Sequence, residues 1–99
     1  MTLALIKEIL AEDNPDAYIY DGLDDAIIGL IYKDDGPVLA YSFIACIGIF
    51  MERDGMSSEG AVEFFYFNVD GLRLGEHQPV IVYDTSVFIE DEANVNDSS

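Results

Sequence analysis

A surplus of carboxylates constrains this chain more than any other feature of its sequence. Twenty of its 99 residues are Asp or Glu and four are Lys or Arg, which leaves a formal net charge of -16. Repulsion among like charges opposes compaction, yet 51% of the residues are hydrophobic, enough to build a core. The sequence therefore predicts a packed domain with an anionic surface, which implies a cationic partner, bound cations or a salty medium.

Length and cysteine content predict the organisation and the compartment of the chain. We expect a single domain over residues 1–84 and an acidic, flexible tail over residues 85–99. Cys46 is the one cysteine, and its apolar neighbours are typical of a buried thiol in a reducing compartment. The N-terminal stretch lacks the apolar segment of a signal peptide, and the longest uncharged stretch is too short to cross a membrane. These features predict a cytosolic protein.

Apolar periodicity and capping residues predict three helices, which cover residues 2–12, 43–53 and 58–68. The second helix would be apolar around nearly its whole circumference, so it must be buried on most sides. A continuous buried strand over residues 44–50 is the alternative, because periodicity does not separate the two forms in a fully buried segment. We favour the helix. Its buried faces also allow a homodimer.

Three further segments are rich in β-forming residues. Residues 17–20 are a short β-prone piece, and residues 27–33 are a stronger strand candidate. The turn Asp34-Asp35-Gly36-Pro37 joins this strand to residues 38–41, which predicts an antiparallel hairpin. A last strand follows Pro79 over residues 80–83. The order of elements predicts an α+β fold, a small, mostly antiparallel β-sheet packed against two or three helices.

Acidic side chains are the candidate binding residues. We expect these carboxylates to contact a basic partner, and they are Asp21, Asp24, Asp25, Asp34, Asp35, Glu59 and Glu63. The aspartates also suit turns or helix caps, and the first three could hold a hard cation, although their spacing fits no EF-hand.

Residues suited to catalysis or cofactor binding are sparse. His77 is the only imidazole, so a histidine metal cluster is excluded, and the apolar surroundings of Cys46 disfavour its thiolate. We predict no enzyme activity, no metal and no cofactor. The phenylalanines of the run Phe64-Phe65-Tyr66-Phe67 are expected in the core, and direct binding to nucleic acid is disfavoured because the surface repels phosphates. Some tyrosines are candidate interface anchors: Tyr18, Tyr20, Tyr41 and Tyr66.

Three stretches of the chain resemble a group of small acidic proteins encoded by tailed bacteriophages and prophages. They are Asp21 to Gly29 (DGLDDAIIG), Met51 to Ser57, and Glu63 to Val69 (EFFYFNV) with Gly71 and Gly75-Glu76. The resemblance covers roughly residues 17–84 and carries no assigned activity. It implies an accessory protein acting in the bacterial host cytosol, where such products often counter host defences. The chain departs from the pattern at Gly48, Gly60 and Arg73.

Charge and resemblance together predict an inhibitor of a host nucleic-acid-directed defence protein, which would act through a surface that mimics DNA. The first alternative is a protein that sequesters a small ligand or nucleotide, although no phosphate-binding glycine loop is present. The second is an acidic domain without a mimicry function, for example one adapted to high salt.

Overall fold

The computed structural model describes residues 2–72 and 75–84. The chain has an α+β fold in which helices pack on a three-stranded sheet, as predicted. Helices α1, α2 and α3 span Leu3–Asp13, Phe43–Asp54 and Ser58–Phe65, and strands β1, β2 and β3 span Ile27–Lys33, Gly36–Ser42 and Val80–Val82. Short helical turns cover Asp24–Ala26, Tyr66–Asp70 and Gly75–His77. The predicted tail lies outside the described residues, whose helices are each too short or too polar to cross a bilayer.

The sheet has the order β1-β2-β3. Strands β1 and β2 form the predicted antiparallel hairpin, with Lys33 opposite Gly36 across a two-residue turn. Strand β3 pairs with β2 in parallel, with Tyr41 opposite Ile81. The sheet is therefore mixed, because the chain crosses from β2 through two helices before it returns to the sheet.

Strand β2 lies at the centre of the fold. Its residues 37–42 are all buried, and Leu39 and Tyr41 belong to the main hydrophobic core. Helix α1 buries Ile6 and Leu10 in the same core. The side-chain amide of Asn14 donates a hydrogen bond to the Pro37 carbonyl at 2.9 Å, which ties the end of α1 to the start of β2.

Residues 43–54 form a helix, so the alternative of a continuous strand is wrong. The Ser42 hydroxyl accepts a hydrogen bond from the Ala45 amide at 3.0 Å, and Gly55 ends the helix with a φ of 68°. These two capping residues supply start and stop signals that apolar periodicity does not contain.

Residues 17–20 form no strand, contrary to the prediction. Their backbone amides bind individual partners, since Tyr18 donates to the His77 carbonyl at 3.1 Å and Tyr20 donates to the Tyr41 hydroxyl at 2.9 Å. The segment has no ladder of paired backbone groups with a neighbouring strand, so its β propensity does not produce a strand here.

Helix α3 ends at Phe65, three residues before its predicted end, and changes to a π-helical turn at Tyr66. The Asn68 side chain donates to the Phe64 carbonyl at 3.0 Å. In an α-helix that carbonyl would bind the backbone amide of Asn68 itself, so the side chain competes with regular α-helical pairing.

The predicted burial of the phenylalanines in this segment is wrong for Phe67 and for Phe64, which is 38% exposed. Phe65 is fully buried, whereas Phe67 is 80% exposed. Residues two apart on a helix point about 200° apart, so a run of four aromatic residues includes some that face away from the core. Among the predicted tyrosine anchors, Tyr18 and Tyr66 lie at the surface, and the other two are buried.

Candidate partner-binding surface

The loop of residues 20–26, here called the acidic loop, is held by hydrogen bonds to strand β2 and to the end of helix α2. The Tyr20 amide binds the hydroxyl of Tyr41 on β2, and the Arg53 guanidinium donates to the Gly22 carbonyl at 2.9 Å from the end of α2. Gly22 has a φ of 79°, and a Cβ there would lie 2.8 Å from Arg53 Nη1. Glycine therefore permits both the turn and the close approach of Arg53.

Three of the seven predicted binding residues come together on the acidic loop. Asp21, Asp24 and Asp25 line one open depression of about 430 Å³, which we call the acidic depression. Its other lining residues are Lys7, Ile19, Tyr20 and Gly22. The Lys7 ammonium forms an ion pair with Asp24 at 2.8 Å, so it neutralises one of the three carboxylates and the depression keeps a negative charge.

Asp34 and Asp35 lie at the turn of the β1–β2 hairpin and outside the acidic depression. The carboxyl of Asp35 meets that of Glu76, and a hydrogen bond and repulsion from Asp35 raise the pKa of Glu76. The Lys33 ammonium donates to the Glu76 backbone carbonyl at 3.1 Å. The hairpin turn and Glu76 thus form a second anionic patch.

Glu59 and Glu63 are exposed on α3, as predicted. They are four residues apart and so lie about one turn apart on the same side of the helix. Ser57 begins this helix by accepting a hydrogen bond from the Gly60 amide at 3.1 Å. The seven predicted residues therefore occupy three structural elements, and the acidic loop is the one that gathers three of them in a single concave site.

An apolar groove that the sequence prediction does not include lies beside the acidic depression. This groove, of about 310 Å³, lies where the end of α2, helix α3 with its π-helical turn, and the acidic loop meet. Its apolar walls are formed by Leu23, Phe50, Phe64, Val69 and Leu72. Tyr20 and Asp21 line both the groove and the acidic depression, so the two sites adjoin. The aromatic run Phe64 to Phe67 is the sequence signal for this groove, but the prediction assigns its phenylalanines to the core.

The groove also contains a cation whose hydrogen-bonding groups are already engaged. Arg53 donates to both carboxylate oxygens of Asp54, at 3.1 and 2.9 Å, and to the Gly22 carbonyl. Its guanidinium carbon lies 5.9 Å from the centre of the Phe50 ring. These contacts fix Arg53 as a link between α2 and the acidic loop.

Asp84 makes contacts that the sequence does not predict. Its carboxylate accepts hydrogen bonds from the Ser42 hydroxyl and from the Ile44 amide, the latter at 3.1 Å. Asp84 therefore joins the end of β3 to the first turn of α2. No local motif indicates this contact, because 40 residues separate Asp84 from Ile44.

The thiol and the acidic side chains of the described residues have surroundings that indicate their chemistry. Burial raises the pKa of the Cys46 thiol to about 11, with a further contribution from Asp84, so the nucleophilic thiolate is disfavoured. Within residues 2–72 and 75–84, no three His, Cys, Asp or Glu side chains are grouped so that they could hold a metal ion. The acidic depression presents hydrogen-bond acceptors suited to Lys or Arg side chains, and the groove presents apolar surface.

In comparisons with known proteins, no family model, no curated protein and no solved structure matches the chain.

Proposed function

We propose that this chain is an interaction protein whose carboxylates occupy the basic, nucleic-acid-binding surface of a host protein and thereby inhibit it. The observation that carries the proposal is the uncompensated charge of the folded domain. The described residues hold sixteen carboxylates and three Lys or Arg side chains, a net charge of -13. Thirteen of those sixteen acidic residues are exposed to solvent.

The basic side chains of the described residues do little to reduce this field. Lys7 pairs with Asp24, Arg53 pairs with Asp54, and Lys33 is bound to the Glu76 backbone. Most carboxylates of the described residues therefore form no ion pair, and their negative charge can attract a cationic partner. Complementary charge speeds the encounter with a basic partner, and Arg or Lys of the partner would supply charge-assisted hydrogen bonds.

The resemblance to small phage and prophage proteins supports the same role. The resemblance implies an accessory protein that acts inside a bacterium, and basic nucleic-acid-binding surfaces are the natural counterpart of an anionic domain. We therefore place the proposed inhibition in the cytosol of a bacterial host, against a nucleic-acid-directed defence protein.

Competition with DNA tests this function. The immobilised protein is incubated with a nuclease-treated bacterial lysate and washed, and bound proteins are released with duplex DNA or with about 500 mM salt. We expect captured proteins to be nucleic-acid-binding and to be released by both treatments. Captured proteins that stay bound in both conditions would count against the proposal.

Paired charge-neutralised variants serve as controls. Asp21→Asn with Asp25→Asn removes two charges from the acidic depression, and Asp34→Asn with Asp35→Asn removes two from the hairpin turn. We expect capture to weaken in the first variant by about tenfold and in the second by less, because a concave anionic site holds a cation more closely than a turn does. If capture is unchanged in both variants, carboxylates do not drive binding.

The apolar groove supports one alternative function, the sequestration of a small ligand. Its volume suits a small apolar molecule, at the lower end of the usual range for ligand sites. Asp21 at its border disfavours anionic nucleotides. Calorimetric titration with nucleotides and with small apolar compounds separates this alternative from binding to a basic protein.

A further inference from the structure

Phe67 is the most exposed large hydrophobic side chain of the described residues, at 80%. Phe67 does not line the groove, but it lies in the chain between Phe64 and Asn68, which do, so its position is about one helical turn from Phe64. Exposed aromatic residues beside a pocket are typical anchors of protein interfaces. The π-helical turn that carries Phe67 is a distortion that is common at functional sites.

Negative charge borders this apolar surface on two sides. Asp21 lines the groove itself and continues into the acidic depression with Asp24 and Asp25. Glu63 is exposed one turn before Phe67 on α3. Arg53 supplies little free positive charge, because Asp54 and the Gly22 carbonyl already bind its guanidinium.

We infer that the groove and Phe67 form the docking site for a basic amphipathic helix of the partner protein. This inference rests on the proposed function and specifies the partner segment. One apolar side chain of the helix enters the groove, and another, about one turn away, covers Phe67. Lys or Arg residues that flank this apolar stripe contact Asp21, Asp25 and Glu63. Helix-in-groove recognition uses this spacing of anchors.

The surroundings of the groove favour this occupant over two others. A small apolar ligand would fill the groove but leave Phe67 uncovered. A second copy of the chain would bring two domains of charge -16 together, and repulsion between them opposes that contact. A cationic helix would cover the Phe67 ring and would also neutralise the nearby carboxylates.

Two synthetic peptides of about 18 residues provide the test. Both contain the same leucines and lysines, but in one the leucines form a stripe at helical spacing and in the other they are scattered. We expect the striped peptide to bind about tenfold more tightly at about 150 mM salt, as measured by calorimetry. Amide shifts in NMR spectra are expected at Phe64, Phe67 and Leu72.

Two matched variants locate the site. Phe67→Ser removes the exposed ring and should weaken the striped peptide about tenfold. Tyr32→Ser removes another well-exposed aromatic ring, on β1 and outside the groove, and should change the affinity less than twofold. Because both rings are largely exposed, we expect both variants to fold, which circular dichroism checks.

The outcomes separate this inference from the proposed function. If both peptides bind equally and Phe67→Ser has no effect, the docking site is wrong, while salt-sensitive binding of both peptides still agrees with the proposed function. If neither peptide binds even at about 20 mM salt, both proposals are wrong. If sedimentation shows that the protein is a dimer and that Phe67→Ser makes it a monomer, a second copy occupies the groove and the inference is overturned.

Discussion

The carboxylate of Asp84 stabilises the fold directly, at the first turn of α2. It binds the Ser42 hydroxyl and the Ile44 amide, where the helix dipole favours negative charge. Desolvation raises the pKa of Asp84, but hydrogen bonds from Ser42 and from backbone amides outweigh it, so the pKa lies below its ordinary value. A single acidic residue thus links the protonation state of the chain to its folding.

We expect Asp84→Asn to lower the free energy of unfolding by about 1 kcal/mol at about pH 7. Because the pKa of Asp84 is depressed in the folded state, its contribution is fully present above the unfolded pKa of about 3.9. It is lost as pH falls through the folded pKa. Urea unfolding of both proteins across this range measures the difference.

Glu52→Gln is the control for this prediction, because it removes one charge from an exposed position on α2. Its effect on stability should be smaller than that of Asp84→Asn at about pH 7. A stability difference between wild type and Asp84→Asn that persists to the lowest pH would show that the carboxylate charge is not what stabilises the helix.

At the scale of the element, α2 is defined by its ends. Ser42 and Asp84 satisfy its first amides, and Gly55 adopts the left-handed conformation that closes it. Its interior contains Gly48. A Cβ at position 48 meets no atom within 4 Å, so neither space nor backbone conformation requires glycine there.

Two glycine substitutions in this helix are expected to have opposite effects. Gly48→Ala should raise the free energy of unfolding by about 0.5 to 1 kcal/mol, because alanine loses less backbone entropy in a helix. Gly55→Ala should lower it by about 1 kcal/mol, because the residue would keep a positive φ. The melting temperatures of the two variants measure these effects, and shifts of the same sign in both would contradict the prediction.

At the scale of the whole molecule, the same charge that suits a basic partner opposes folding. The described residues carry a net charge of -13, and just two ion pairs between side chains form among them. Self-repulsion is screened by dissolved salt, with a Debye length of about 10 Å at 0.1 M. The stability of the free protein should therefore depend on ionic strength.

We expect the melting temperature to rise by several degrees between about 10 and 500 mM NaCl, because screening relieves repulsion in the folded state. Magnesium chloride at the same ionic strength should have a similar effect if screening alone acts. A much larger rise with magnesium would indicate a specific cation site, and a melting temperature independent of NaCl would contradict the role given to repulsion.

Local signals in the sequence account for much of the fold. Helix ends are marked by hydrogen bonds or dihedral angles that involve near neighbours in the chain, at Thr2, Ser42, Ser57 and Gly55. The hairpin is marked by the Asp34-Asp35 turn, which Gly36 follows with a φ of 116°. Such signals predict elements well because their energetics are contained within a few residues.

Contacts between distant residues decided the rest. The parallel pairing of β3, the Asp84 cap on α2 and the outward position of Phe67 depend on how helices pack on the sheet, which no short segment encodes. The proposed binding site shows the same division. Composition alone determined that the surface is anionic, since twenty carboxylates and four basic side chains leave a large excess in any fold. Only the tertiary structure placed Asp21, Asp24 and Asp25 beside an apolar groove, because that groove exists where α2, α3 and the acidic loop meet.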